Sequence, residues 1–185
     1  LAKVNDNESI ARFSHYLGDY FQYITRNASD DIPLEMEFKH SLTYAEIQNI
    51  RFKNRIQVQF EPLEASYQSY RVPRLILQPV VENAYKYGLE SRRRNGQIRV
   101  NAYVSERCLF ISVEDNGDSL TDEVIAELQN QLLLQGDELE YTGLLNVHRR
   151  LQIRFGEQYG VYVSRGELGG LLLLLKLPWD SNMME

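Results

Sequence analysis

The chain has 185 residues, 43% of them hydrophobic and 25% charged, which suits one generous globular domain or a smaller domain with an added helical segment. A net charge of -6 argues against a nucleic-acid binder, which needs a strongly basic face. The lone Cys108 rules out internal disulfides and cysteine-type metal clusters and fits a reducing compartment, while no apolar run approaches the roughly 20 residues of a membrane helix. The chain opens at Leu1 without a signal-like segment and reads as a piece of something longer, which would leave any membrane anchor outside it.

From Ser9 to about Arg26, Ile10, Phe13, Leu17, Tyr20, Phe21 and Ile24 draw one stripe on a helix. "DDIPLEMEFKHSLTYAEIQNIRF" predicts a second, with Pro33 suited to its first turn, Glu35 and Glu37 at the positive end of its dipole, and Leu34, Phe38, Leu42 and Ala45 facing a partner. The pair suggests a helical hairpin or half of a dimeric bundle. "RIQVQFE" then alternates as a strand does, and "PLEASYQSYRV" reads as a loop. Residues 74–87 predict a helix with Pro79 near its start, stopped by Gly88 as a left-handed cap. "QIRVNAYV" and "CLFISVE" predict a hairpin, "TDEVIAELQNQLLL" and "LLNVHRRLQIRF" two helices, and "GVYVSRGE" with "LLLLLKLP" a closing hairpin. This order points to a two-layer α/β sandwich after an N-terminal helical pair.

Three stretches carry chemistry. On the helix of residues 74–87, Asn83 shares a face with Lys86 and Tyr87, and Glu82 stacks on Lys86, a grouping able to hold a metal ion and the phosphates it bridges. Alone, Glu82 and Lys86 read more readily as a surface ion pair, with Asn83 between faces. A strand that ends in Asp115-Asn116-Gly117 presents a carboxylate at a sheet end, beside a glycine that admits a ligand. In "YTGLLNVHRRL", Gly143 precedes a helix whose free amides can receive phosphate.

In this order, "PRLILQPVVENAYKYG", "DNG" and "YTGLLNVHRRL" resemble the nucleotide-binding domain of sensor histidine kinases, within the superfamily of gyrase, Hsp90, histidine-kinase and MutL ATPases. The pattern is most similar to the LytS-like branch, covers residues 73–177 and extends over "PLEMEFKHSLTYAEIQNIRFKNRIQV". The resemblance implies an α+β fold with a mixed, largely antiparallel sheet of the Bergerat type. Residues 1–53 would be the end of the dimerisation and linker helices, and 54–185 the ATP-binding catalytic domain. It further implies Asn83 as the magnesium ligand, Glu82 polarising the metal or its water, and Lys86 near the phosphates. Asp115 would accept from the adenine amino group. Tyr87, Gly117, Thr142, Gly143, Leu144 and Asn146 would surround the nucleotide, and 118–142 would form a lid.

The family's phosphoacceptor histidine lies in a segment resembling "NPHFLFN", which does not occur here; His15, His40 and His148 read as ordinary helix residues. The chain is therefore expected to bind ATP and Mg2+ without phosphorylating itself. In the intact protein, a homodimer, phosphate would pass to a histidine outside the chain and on to a response regulator. The chain would be cytoplasmic, anchored only through segments upstream. Tyr87, Ser119 and Tyr141 stand where the family usually has histidine, glycine and glycine, which supports an alternative: the same fold as a non-catalytic interaction module. A second alternative is an ATP hydrolase with Glu82 as general base.

Overall fold

The computed structural model describes residues 10–11, 13–18, 21–22, 31–52, 55–90, 92, 94–133 and 143–179. Residues 10–22 are helical where described, with Ile10, Phe13 and Phe21 exposed; Tyr20 and Ile24 of the expected stripe lie outside the described residues.

Strand β1 (Asp31–Pro33) runs directly into α1 (Leu34–Arg51), with Pro33 at its N-cap, where a missing amide costs no intrahelical bond. Leu34, Glu37, Phe38, Ser41 and Ala45 form the buried face of α1. At 3.6 residues per turn that face leaves Leu42 at its margin, and Leu42 is exposed rather than packed.

Five strands make the main sheet: β2 (Ile56–Phe60), β4 (Gly96–Ser105), β5 (Cys108–Asp115), β6 (Gly160–Arg165) and β7 (Leu171–Pro178), in the order β2-β4-β5-β7-β6. β2 pairs parallel with β4, and the remaining neighbours are antiparallel, so the expected mixed, largely antiparallel sheet is borne out. Glu106 and Arg107 both sit at positive φ (50° and 59°), the two-residue turn whose twist suits the β4–β5 hairpin. The run of leucines resolves into alternation: Leu171, Leu173, Leu175 and Leu177 are buried, Leu172 and Leu174 only partly so.

Residues 62–72, expected as a loop, contain a helical turn, α2 (Ala65–Gln68), and end in β3 (Arg71–Pro73), which pairs antiparallel with β1. A three-residue ladder is too short to leave an alternation in the sequence. The helix expected over 74–87 also differs. Residues 74–77 form a turn with Leu75 at φ 56°, α3 spans Gln78–Asn83, and a π-helix continues over Ala84–Leu89. Pro79 thereby falls in the first turn of α3, where it is tolerated.

α4 (Asp122–Leu133) and α5 (Gly143–Phe155) complete the helical layer. α3 packs against α1 and α5, and α5 against β6 and β7. α1 belongs to the same core as the sheet, since Leu34, Phe38 and Ala45 join Ile98, Ile111 and Leu173 in one buried cluster.

Candidate functional site

The site grows from the junction of α3 and the π-helix. In a π-helix each amide reaches back five residues instead of four, so side chains four and five apart share a face. Asn83, Tyr87 and Gly88 therefore line one cavity of about 300 Å³. Lys86, only three residues from Asn83, turns outward with Glu82 to a second, smaller concavity shared with Tyr44, Gln48 and Arg51 of α1. Lys86 keeps contact with the first cavity's rim, its Nζ lying 5.0 Å from the Tyr87 ring centroid.

Asp115, the last residue of β5, supplies the buried carboxylate, 2% exposed. Its Oδ1 accepts the amides of Gly117 at 2.7 Å and Leu171 at 3.4 Å. Burial pushes its pKa above the usual carboxylate range, and those two amides pull back in the other direction. Three glycines close around it. A Cβ on Gly88 would lie 2.6 Å from the Asp115 Cγ, one on Gly117 2.6 Å from the Gly88 carbonyl oxygen, and one on Gly170 2.5 Å from the Asp115 carbonyl oxygen. Gly88 is thus glycine for a reason other than the expected left-handed cap: it is absent from the positive-φ residues, and the helix winds on to a right-handed Glu90.

The neighbouring side chains fix the same corner. Glu114, 4% exposed, takes the Arg99 guanidinium at 2.6 Å and the Leu168 amide at 2.5 Å, which ties the β6–β7 turn to β5. Asn116 Oδ1 accepts from the Gln97 amide at 2.8 Å, and its Nδ2 donates to the Asn95 carbonyl at 2.9 Å. The roof is α4, whose Val124, Leu128 and Gln131 line the cavity although none of its residues is fully buried.

Of the residues singled out in the sequence, Asn83, Tyr87, Asp115, Gly117 and Leu144 converge on this cavity. Gly143 adjoins it at the start of α5, where a Cβ would lie 3.4 Å from Pro79 Cβ. Glu82 and Lys86 face the second concavity, Asn146 is exposed on α5, and Thr142 lies outside the described residues. The sequence reading missed Gly170 and Leu171, taken only as hairpin, and the Val124/Leu128 pair, whose spacing of four was visible as an apolar edge. Asn83, 8% exposed, offers a hard amide oxygen suited to magnesium, and among the described residues no group of three or more His, Cys, Asp or Glu forms a metal cluster of its own.

Comparison with known proteins places the chain among its relatives. The family described as histidine kinase matches residues 1–56. The sensor histidine kinase YesM of Bacillus subtilis (strain 168) is 27% identical over 184 residues, covering 100% of this chain and 30% of YesM. The sensor protein LytS of Enterococcus faecalis is 28% identical over 181 residues, covering 97% of this chain and 30% of LytS. The chain thus spans about 30% of the length of these curated relatives. Among solved structures, the nucleotide-free catalytic domain of the histidine kinase ThkA aligns with a TM-score of 0.57 at 16% identity, over 80% of this chain and 94% of that one. ThkA in complex with the response regulator protein TrrA aligns at 0.55 and 14% identity, over 95% of this chain and 50% of that one.

Proposed function

We propose that this chain, whose homologues are LytS-like sensor histidine kinases and whose fold is that of histidine-kinase catalytic domains, is the ATP-binding catalytic part of such a kinase. The observation that carries the proposal is the cavity of about 300 Å³ with two buried polar side chains, Asn83 from α3 and Asp115 from β5, in an otherwise largely apolar lining.

Asp115 is oriented by the Gly117 and Leu171 amides, so its carboxylate is preset to accept from the 6-amino group of adenine. Guanine, with an oxygen there, would meet repulsion instead. Gly88 and Gly117 present bare backbone to the cavity beside the base, while Gly170 leaves room for the Asp115 carboxylate. Leu120, Val124 and Leu128 would cover its faces. The first amides of α5, from Gly143 and Leu144, would receive phosphate, with Thr142 and Asn146 beside them. Asn83 would hold Mg2+, which would supply neutralisation of phosphate charge. Lys86 would act from the rim beside Tyr87, and Glu82 from the outer face of the same helix.

The γ-phosphoryl would pass in line to a histidine outside this chain and then to a response regulator, a partner class supported by the ThkA complex with TrrA. In the whole protein, residues 1–53 would connect to the dimerising helices and 54–185 would carry the nucleotide, on the cytoplasmic side, with any anchor upstream.

Calorimetric titration with ATP and ADP, with and without magnesium, tests this. ATP is expected to bind, Asp115→Ala to abolish binding, and Asn83→Ala to remove its magnesium dependence. A folded wild type that binds no nucleotide at millimolar concentration would replace this reading with the interaction module.

A further inference from the structure

α1 holds the helix that bears Asn83 at both ends. Glu37 is fully buried, and its carboxylate accepts three backbone amides from the turn ahead of α3: Leu75 at 2.7 Å on Oε1, Ile76 at 3.0 Å and Leu77 at 3.1 Å on Oε2. Three charge-assisted bonds to one side chain fix the turn in direction as well as in place. The turn needs holding, because Leu75 stands at φ 56°, a region that leucine occupies only when its surroundings impose it. One turn further along α1, His40 Nε2 lies 2.6 Å from Oε1 of Gln78, the first residue of α3. From α5, Arg150 donates to the Arg74 carbonyl at 2.7 Å, bracing the same turn on its other side.

The far end is clasped through the π-helix. The Tyr85 hydroxyl donates to the Ala45 carbonyl at 3.2 Å and lies 3.2 Å from Asn49 Oδ1. Its ring stacks on Phe52 with centroids 5.7 Å apart and planes 13° from parallel, and meets Tyr44 edge-on at 6.1 Å. Tyr85 sits inside the six residues of π winding that decide which side chains face the cavity. Asp115, in contrast, takes its orienting bonds from Gly117, in the loop after β5, and from Leu171, the first residue of β7.

We infer that α1 sets the position and winding of the Asn83 helix, with Glu37 and Tyr85 as positioning residues, so that a displacement of α1 alters the phosphate end of the cavity more than the adenine end, whose carboxylate takes its orienting bonds elsewhere. The inference rests on the nucleotide reading above for the ligand, and on the α1 contacts alone for the coupling.

The test uses Glu37→Gln and Tyr85→Phe in this chain. Each is near-isosteric, and Tyr85→Phe keeps the ring stack, so it carries the test if Glu37→Gln does not fold. Two ligands are titrated: adenosine, which needs only the adenine end, and ATP with magnesium. Both variants are expected to weaken magnesium-ATP about tenfold, in the usual range of coupling between sites, and to leave adenosine affinity within about twofold. Backbone amide exchange is expected to quicken over residues 75–89 and not in β5 or β7. Equal loss of both ligands, wild-type affinity for both, or exchange that quickens throughout or nowhere overturns the inference. If the wild type binds neither ligand, the nucleotide reading fails and the exchange pattern alone decides the coupling.

Discussion

Asp115 is held buried at some cost to the fold. Its pKa is raised by burial, so the folded state binds its proton more tightly than the unfolded state does. The ionised carboxylate is therefore a stability penalty at neutral pH, relieved as pH falls through the folded pKa. Asp115→Asn removes the charge while its Oδ1 can still accept the Gly117 amide. Differential scanning fluorimetry is expected to show a melting temperature equal to or a few degrees above wild type, and calorimetry a loss of nucleotide binding, because the new amide donor opposes the adenine amino group. A lower melting temperature would mean that the charge supports the fold. The carboxylate was legible in the sequence as the polar end of an apolar strand. Its surroundings were only half legible: Gly88 was visible as a glycine, but the side chain opposite it, 27 residues further on, was not.

At the scale of elements, regular periodicity was readable and departures from it were not. β2 announced itself by alternation, β7 by its apolar run, and α5 by its apolar spacing. The π winding left no signal, since it depends on what Tyr85 packs against on α1. That change of winding is why Lys86, grouped with Asn83 by α-helical spacing, faces another concavity. Glu37 is a first-turn acid of its own helix as expected, and its carboxylate also serves the turn before α3. α1 is thereby part of the same packed body as the sheet and α3. A chain that starts at Asp31 is expected to keep a cooperative thermal transition within a few degrees of the full chain. One that starts at Arg55 leaves the amides of 75–77 and the Tyr85 ring without partners and is expected to lose that transition and its near-ultraviolet circular dichroism. Native-like spectra from the shorter chain would show that α1 is dispensable to the fold.

For the whole molecule, two buried histidines that join separate elements contribute to acid sensitivity. His148 Nδ1 accepts the Val161 amide at 3.0 Å, joining α5 to β6, and His40 meets Gln78 between α1 and α3. Burial lowers both pKa values below the ordinary 6.5. The unfolded chain then takes up these protons at higher pH than the folded one, so stability is present above about pH 6.5 and falls as pH drops below it, by at most about 1.4 kcal/mol per pH unit for each histidine. Asp115, shifted upward, works in the opposite sense. Denaturant titrations between pH 7.5 and 5.5 are expected to show this decline, and His148→Asn, whose Oδ1 can still take the Val161 amide, to make it shallower. An unchanged slope would exclude His148 as a contributor. The sheet order has a consequence for how the molecule comes into being. β7 is the last strand in the chain yet lies inside the sheet, between β5 and β6. During synthesis from the N-terminus, β5 emerges with one edge unfilled, and that edge stays open to pairing with a neighbouring nascent chain until residues 171–178 appear. The Leu171 amide that orients Asp115 arrives with that same strand, so the corner that would receive a nucleotide is complete only once β7 has emerged.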